Sequence, residues 1–164
     1  MTLAQAIVLM VALQRGIELA IAASNTRRLI GHGAVEVGRE HYPLVVALHA
    51  AWLVAILLGA PADAAPNLAL LAVFVLLQLA RIWVILSLGR RWTTRIIVPP
   101  SAELVRTGPY RFCRHPNYAI VVAEIAVLPA AFGLWRIALI FTLLNAALLC
   151  WRVRIEDRAL GLRR

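Results

Sequence analysis

The chain has 164 residues, 62% of them hydrophobic and 15% charged, with a mean hydropathy of +0.82. A soluble domain of this length still presents much of its surface to water and needs more polar side chain than this to cover it, so the composition points to a membrane protein and excludes disorder, collagen and coiled coil. The net charge of +9 comes from 17 arginines against 8 acidic residues, with no lysine, and fits either a nucleic-acid partner or loops facing an anionic leaflet.

Apolar stretches run from Leu3 to Ala23, Pro43 to Ala60, Pro66 to Leu88, Tyr118 to Gly133 and Leu134 to Trp151. Each approaches the roughly 20 residues that a helix needs to cross about 30 Å of hydrocarbon. The expected fold is therefore all-α and integral to the membrane: one domain, residues 1–164, with five transmembrane helices, the last two forming a tight hairpin. Pro129, late in the fourth stretch, predicts a tilt or kink there. The first stretch contains Ala20-Ile21-Ala22, which resembles a signal-peptide cleavage site. No basic region precedes it, however, and Gln14, Arg15 and Glu18 interrupt it, so it reads as a retained span.

The arginines set the orientation. Arg27, Arg28 and Arg39 follow the first span, six more (Arg90, Arg91, Arg95, Arg106, Arg111, Arg114) follow the third, and five (Arg152, Arg154, Arg158, Arg163, Arg164) follow the fifth. The opposite side carries Arg136 alone. The positive-inside rule then puts the amino terminus outside and the carboxyl terminus in the cytoplasm, across the inner membrane of the cell. Topology accounts for the basic residues, and nucleic-acid binding loses its support.

Inside the spans, Arg15 and Glu18 are three residues apart on one helix face and can pair. Arg81 is expected to snorkel or to pair with a neighbouring span, Glu124 needs a buried partner, and His49 reads as an interhelical hydrogen bond rather than a ligand. Cys113 and Cys150 lie in unlike settings as ordinary reduced residues, and no His/Cys spacing suggests a metal site.

The outward connections are short, so chemistry is expected at the cytoplasmic face, in the loop from Gly89 to Asn117 and the tail from Arg152. The run Arg91-Trp92-Thr93-Thr94-Arg95-Ile96-Ile97-Val98 is rich in β-branched and aromatic residues and ends at Pro99-Pro100, which predicts an extended interfacial segment. Gly108-Pro109-Tyr110 signals a turn, and Pro116 suits the first position of the fourth helix. Two readings stay open on these residues. One is a basic membrane anchor, with Trp92, Tyr110 and Tyr118 as an aromatic belt. The other is a pocket for an anionic or nucleotide-like ligand, built from free helix-start N–H groups, aromatic faces and arginine forks. The adjacent carboxylates Glu156 and Asp157 in a basic tail favour the second.

Gly108-Pro109-Tyr110-Arg111-Phe112-Cys113-Arg114-His115-Pro116-Asn117-Tyr118, preceded by Leu104-Val105 and followed one helical hairpin later by Arg152-Val153-Arg154-Ile155-Glu156-Asp157, resembles the signature of the isoprenylcysteine carboxyl methyltransferase family. Upstream, Gln14-Arg15, Glu18, Asn25, residues 33–38, His41-Tyr42-Pro43 and Trp92-Thr93-Thr94 resemble a bacterial branch that methylates alkylpyrones made by type III polyketide synthases, so the resemblance extends over nearly the whole chain. It implies an S-adenosylmethionine-dependent O-methyltransferase whose cofactor sits in a cytoplasmic pocket formed by loop 89–117, the last hairpin and tail 152–164. The cofactor contacts it implies are Ala102, Glu103, Leu104 and Val105 through backbone, with Tyr110, His115, Pro116, Asn117, Tyr118 and Glu156. Arg152 falls at the position of an acceptor-orienting arginine and with Glu156 makes up the catalytic pair; His41 would help shape the substrate pocket. Arg95 stands where the family has a cofactor-binding glutamine, Asp157 replaces the commoner second Glu, and a tail ending at Arg164 is expected to lack the family's longer lid. The implied partners are a lipophilic small-molecule acceptor and membrane lipid, with no nucleic acid and no metal; the oligomeric state is open. The acceptor is expected to be an alkylpyrone hydroxyl ahead of an isoprenylcysteine-like carboxylate, its tail entering through a lateral slot between helices near the cytoplasmic leaflet. The rivals are a phospholipid N-methyltransferase, an NADPH-dependent membrane reductase of similar topology, and a scaffold that merely grips anionic lipid.

Overall fold

The computed structural model describes residues 2–61, 65–100, 105–159 and 161. It is a helical bundle: α1 (Leu3–Gly31), α2 (Tyr42–Gly59), α3 (Leu68–Leu88), α4 (Pro116–Ala131) and α5 (Trp135–Ala159). Two three-residue strands, β1 (Val35–Val37) and β2 (Ile96–Val98), pair antiparallel with Glu36 opposite Ile97. This ribbon is a departure from the all-α expectation. Val-Glu-Val after α1 and Ile-Ile-Val after α3 are β-branched runs too short to be seen as strands separately, and they become a ladder because the bundle brings them side by side. Four of the helices are long and apolar enough to cross a membrane; α4, at 16 residues, is shorter. The chain is a membrane protein.

Two helices outrun the apolar stretches that announced them. α1 continues past Ala23 through Ser24-Asn25-Thr26-Arg27-Arg28, since nothing there breaks a helix. It stops where Ala34 N–H bonds Leu29 C=O and Gly33 N–H bonds Ile30 C=O, with Gly33 at φ 86, a Schellman ending that requires glycine. α5 likewise runs on to Ala159, so Arg152 and Glu156 lie four residues apart on one helix face rather than in an irregular tail. α4 begins at Pro116 and ends in a second Schellman turn at Gly133, φ 74, from which α5 folds back to pack on it.

The interior is layered. Val8, Val11, Trp52, Ile56, Phe74 and Ile125 lead one apolar cluster, and Ala22, Val84, Trp92 and Ile120 form a second. Between them lies a ring of four charges. Arg15 Nη1 donates to Glu18 at 2.7 Å and Nη2 to Glu124 at 3.0 Å; Arg81 Nε donates to Glu124 at 3.0 Å, its Nη2 meets the other Glu124 oxygen, and its Nη1 reaches Glu18 at 3.4 Å. Gln78 adds a hydrogen bond to Glu124 at 2.8 Å and Gln14 one to Glu18 at 3.0 Å. Each carboxylate bridges both guanidinium groups, so the ring is neutral and every carboxylate oxygen is partnered. That is the condition under which charge survives at membrane depth. Arg81 accordingly pairs across α1, α3 and α4 instead of snorkelling. His49 bonds within its own helix, to Val45 C=O at 2.8 Å, where an interhelical bond was expected. Large apolar side chains such as Leu13, Leu58, Leu86 and Leu143 point outward, as lipid-facing positions do.

Glu124 is 2% exposed, and Glu124→Ala strands two arginines beside a lost carboxylate. Thermal unfolding in detergent is expected to show a loss of about 3–5 kcal/mol. Leu58→Ala, at a position 80% exposed, is expected to change stability by less than about 0.5 kcal/mol.

Candidate functional site

The start of α4, the end of α5, residues 92–100 and the short helical turns at Gly89–Arg91 and Gly108–Arg111 meet at one end of the bundle. Asn25 on the extended part of α1 donates to the Trp92 carbonyl at 2.8 Å, and Arg28 to the Arg90 carbonyl at 2.9 Å. Trp92 is 2% exposed, packed with Ala22, Val84 and Ile120. It anchors the loop to the helices and does not join an aromatic belt. The β1–β2 ladder fixes the far side of the same loop.

Held this way, the loop presents its Thr94 carbonyl to α5. Arg152, buried at 5% exposure, donates Nη2 to that carbonyl at 2.7 Å and Nε to the Tyr118 hydroxyl at 2.8 Å. The Tyr118 hydroxyl in turn donates to Glu156 Oε2 at 2.5 Å. One path of hydrogen bonds thus joins loop, α5 and α4, running from a cation through a phenol to an anion, an order in which each bond polarises the next. His115 stacks on Tyr118 with ring centroids 5.2 Å apart, its Nδ1 3.9 Å from Glu156 and its Nε2 3.5 Å from Asp157. Burial, then the Glu156 carboxylate and Cys113, push the Tyr110 phenol from 10.0 up to about 12, so it is a neutral hydroxyl throughout the physiological range.

A cavity of about 1210 Å³ opens on these groups, lined at this end by Val105, Tyr110, His115, Asn117, Tyr118, Arg152 and Glu156. It passes Tyr42 and Arg95 and continues between α1 and α2, past Ala12, Gly16, Leu19, Val46 and Leu53. Arg95 sits 4.2 Å over the Tyr42 ring and donates to Glu36 at 2.6 Å, while Tyr42 and Thr94 share a hydrogen bond of 3.0 Å.

Most of the residues singled out in the sequence therefore share one cavity. Pro116 is buried at the first turn of α4 and holds that helix start without lining the space. Ala102, Glu103 and Leu104 lie outside the described residues. His41 lies apart from the cavity. It is 1% exposed, packed on Trp151 at 5.8 Å, and absent from the cavity wall; the short helical turn before α2 rotates it inward, and the neighbouring Tyr42 takes the cavity position instead. Glu36, Thr94 and Gly16 were not singled out for the site. Only the β-branched surroundings of Glu36 hinted that it would be brought across to Arg95.

A model of the isoprenylcysteine carboxyl methyltransferase (ICMT) family matches residues 69–161, the stretch that holds α3, the loop, α4 and α5. The chain belongs to the isoprenylcysteine carboxyl methyltransferase family. It is 37% identical over 151 residues to YpbQ of Bacillus subtilis (strain 168), described as an uncharacterized protein, with 90% of each chain covered. An uncharacterized protein of Haemophilus influenzae (strain ATCC 51907 / DSM 11121 / KW20 / Rd) is 25% identical over 151 residues, covering 87% of this chain and 86% of the other. No solved structure matches. Membership of the ICMT family makes this a methyltransferase of lipophilic substrates, and the cavity residues at the α4–α5 end all fall within the matched stretch.

The raised Tyr110 pKa gives a pH prediction. Between pH 10 and 12 the unfolded chain releases this proton while the folded protein keeps it, so stability falls as pH rises through that window. Ultraviolet titration of folded protein should show a phenol ionising near 12 that is missing in Tyr110→Phe. A variant whose titration matches the parent would remove the burial argument for this residue.

Proposed function

We propose that the chain is an S-adenosylmethionine-dependent O-methyltransferase acting at the cytoplasmic face of the cell membrane on a lipophilic acceptor with an acidic oxygen, an alkylpyrone hydroxyl ahead of an isoprenylcysteine-like carboxylate. The observation that carries this reading is the single cavity with two unlike ends. Its volume exceeds the roughly 300–1,000 Å³ typical of a pocket for one small molecule, which leaves room for a polar donor and an oily acceptor together.

The residues at the polar end suit the cofactor. Glu156 spends Oε2 on Tyr118 and keeps Oε1 for ribose hydroxyls or an ammonium group. The Asn117 Oδ1 is buried without a hydrogen-bond partner among the described residues, an acceptor waiting for a donor. Tyr110 and the stacked His115–Tyr118 pair offer ring faces to adenine or to a sulfonium. When bound, the cofactor supplies an electrophilic methyl group that leaves its sulfur as a new carbon–oxygen bond forms. The protein's part is alignment. An acidic hydroxyl or carboxylate is already ionised near neutral pH, so no strong base is needed. Arg152 keeps Nη1 free of the Thr94 and Tyr118 bonds and can orient the acceptor oxygen, while the Tyr118–Glu156 bond limits how strongly the guanidinium quenches the nucleophile.

The membrane arrangement follows the same logic. The arginine asymmetry supports a cytoplasmic position for the start of α4 and the end of α5, where the charged donor is, and in this reading α4 makes a fifth crossing together with its flanking residues. The tail of the acceptor lies between α1 and α2, where Ala12, Leu19, Val46 and Leu53 give the cavity wall apolar patches and Gly16 leaves open space.

Purified protein in detergent should transfer label from methyl-labelled S-adenosylmethionine to an alkylpyrone or a prenylcysteine, and not to aminophospholipids. Calorimetry should show S-adenosylhomocysteine binding, with Glu156→Gln weakening it roughly tenfold; binding of NADPH alone would replace this reading with a reductase. A Cβ at Gly16 meets nothing within 4 Å, so Gly16→Leu has room at its first carbon and should depress turnover more for long-tailed than for short-tailed acceptors, with thermal unfolding checking that the variant is folded. Equal depression of both would move the tail out of the α1–α2 slot.

A further inference from the structure

The slot between α1 and α2 does not stay apolar. Beyond Gly16 and Val46 its wall carries His49 of α2 and Arg15 of α1. His49 Nδ1 lies 2.8 Å from the Val45 carbonyl. A carbonyl only accepts, so Nδ1 holds the proton and Nε2 is a bare acceptor. Arg15 commits Nη1 to Glu18 and Nη2 to Glu124, which leaves its Nε–H without a partner among the described residues. The four-charge ring is neutral and calls for no counter-ion. A bare acceptor and an unspent N–H in a wall that is otherwise largely apolar are different: both can take a hydrogen bond from an occupant that carries a matching polar group.

The two groups also lie at a defined depth. His49 follows Tyr42 by seven positions on α2, which at about 1.5 Å per residue sets it about 10 Å farther along the slot than the level where Tyr42 meets Arg95. Arg15 and His49 both line this stretch of the cavity.

We propose that His49 and Arg15 form a second polar subsite that recognises a hydroxyl carried partway along the acceptor's tail, the hydroxyl donating to His49 Nε2 and accepting from Arg15 Nε. The acceptor is then an amphiphile with an acidic oxygen at its head and a second oxygen at mid-chain. This deepens the methyltransferase reading and rests on it for calling the occupant an acceptor, but recognition itself can be measured without turnover.

The test is equilibrium binding of two probes to the purified full chain in detergent: palmitate, and a hydroxypalmitate with its hydroxyl at mid-chain. The wild-type protein is expected to bind the hydroxylated chain roughly tenfold more tightly. His49→Leu erases that difference, and His49→Gln, which keeps a hydrogen-bonding group, preserves it. Equal binding of the two probes by wild type, or a preference that survives in His49→Leu, overturns the subsite. If His49→Leu fails to fold, the wild-type comparison and the Gln variant still decide. Methyl transfer is assayed separately, so a clear preference for the hydroxylated probe with no transfer to any acceptor would uphold the subsite and sink the methyltransferase reading instead.

Discussion

The contact that everything at the polar end depends on is the path from the Thr94 carbonyl through Arg152 and the Tyr118 hydroxyl to Glu156. It is made by three segments far apart in the chain, and each supplies a group the others lack: a backbone acceptor, a buried cation and a phenol that both accepts and donates. Arg152, 5% exposed, would be costly alone. With Nε and Nη2 committed and an anion one phenol away, it is balanced without direct contact with Glu156, and the carboxylate keeps an oxygen for other work. The same path closes one wall of the cavity, so these residues serve structure and site together.

A second constraint acts deeper. The long helices turn apolar side chains outward and keep their charges inside, and the Arg15–Glu18–Arg81–Glu124 ring ties α1, α3 and α4 at the level between the two apolar clusters. α2 takes no part in the ring and packs instead on α5 and α1, and the cavity runs along its face toward α1.

Much of this was legible in the sequence, for physical reasons that differ by region. The long spans declared themselves through hydropathy, and the Arg15–Glu18 pair through helical spacing. The start of α4 was readable from Pro116, because a residue without an N–H belongs where none is needed. What was hidden depended on contacts between distant segments. Nothing in Val35-Glu36-Val37 alone says that it will meet Ile96-Ile97-Val98, and nothing around Trp92 distinguishes a belt residue from a buried anchor until α1 is seen to extend past it. His41 and Tyr42 were a neighbouring pair of which one had to face the cavity; a helical turn at Arg39–His41 turned the histidine in and the tyrosine out. Arg81 and Glu124 each looked expensive alone and became affordable only once the bundle set them together.

The most direct test of the account is to map where the donor binds. Photo-cross-linking with an azido-adenine analogue of S-adenosylmethionine, followed by peptide sequencing, should label the segments 105–118 and 149–159, and excess S-adenosylhomocysteine should abolish the labelling. Label confined to the turn between α4 and α5, or label that S-adenosylhomocysteine does not displace, would contradict a donor site between the loop, the start of α4 and the end of α5.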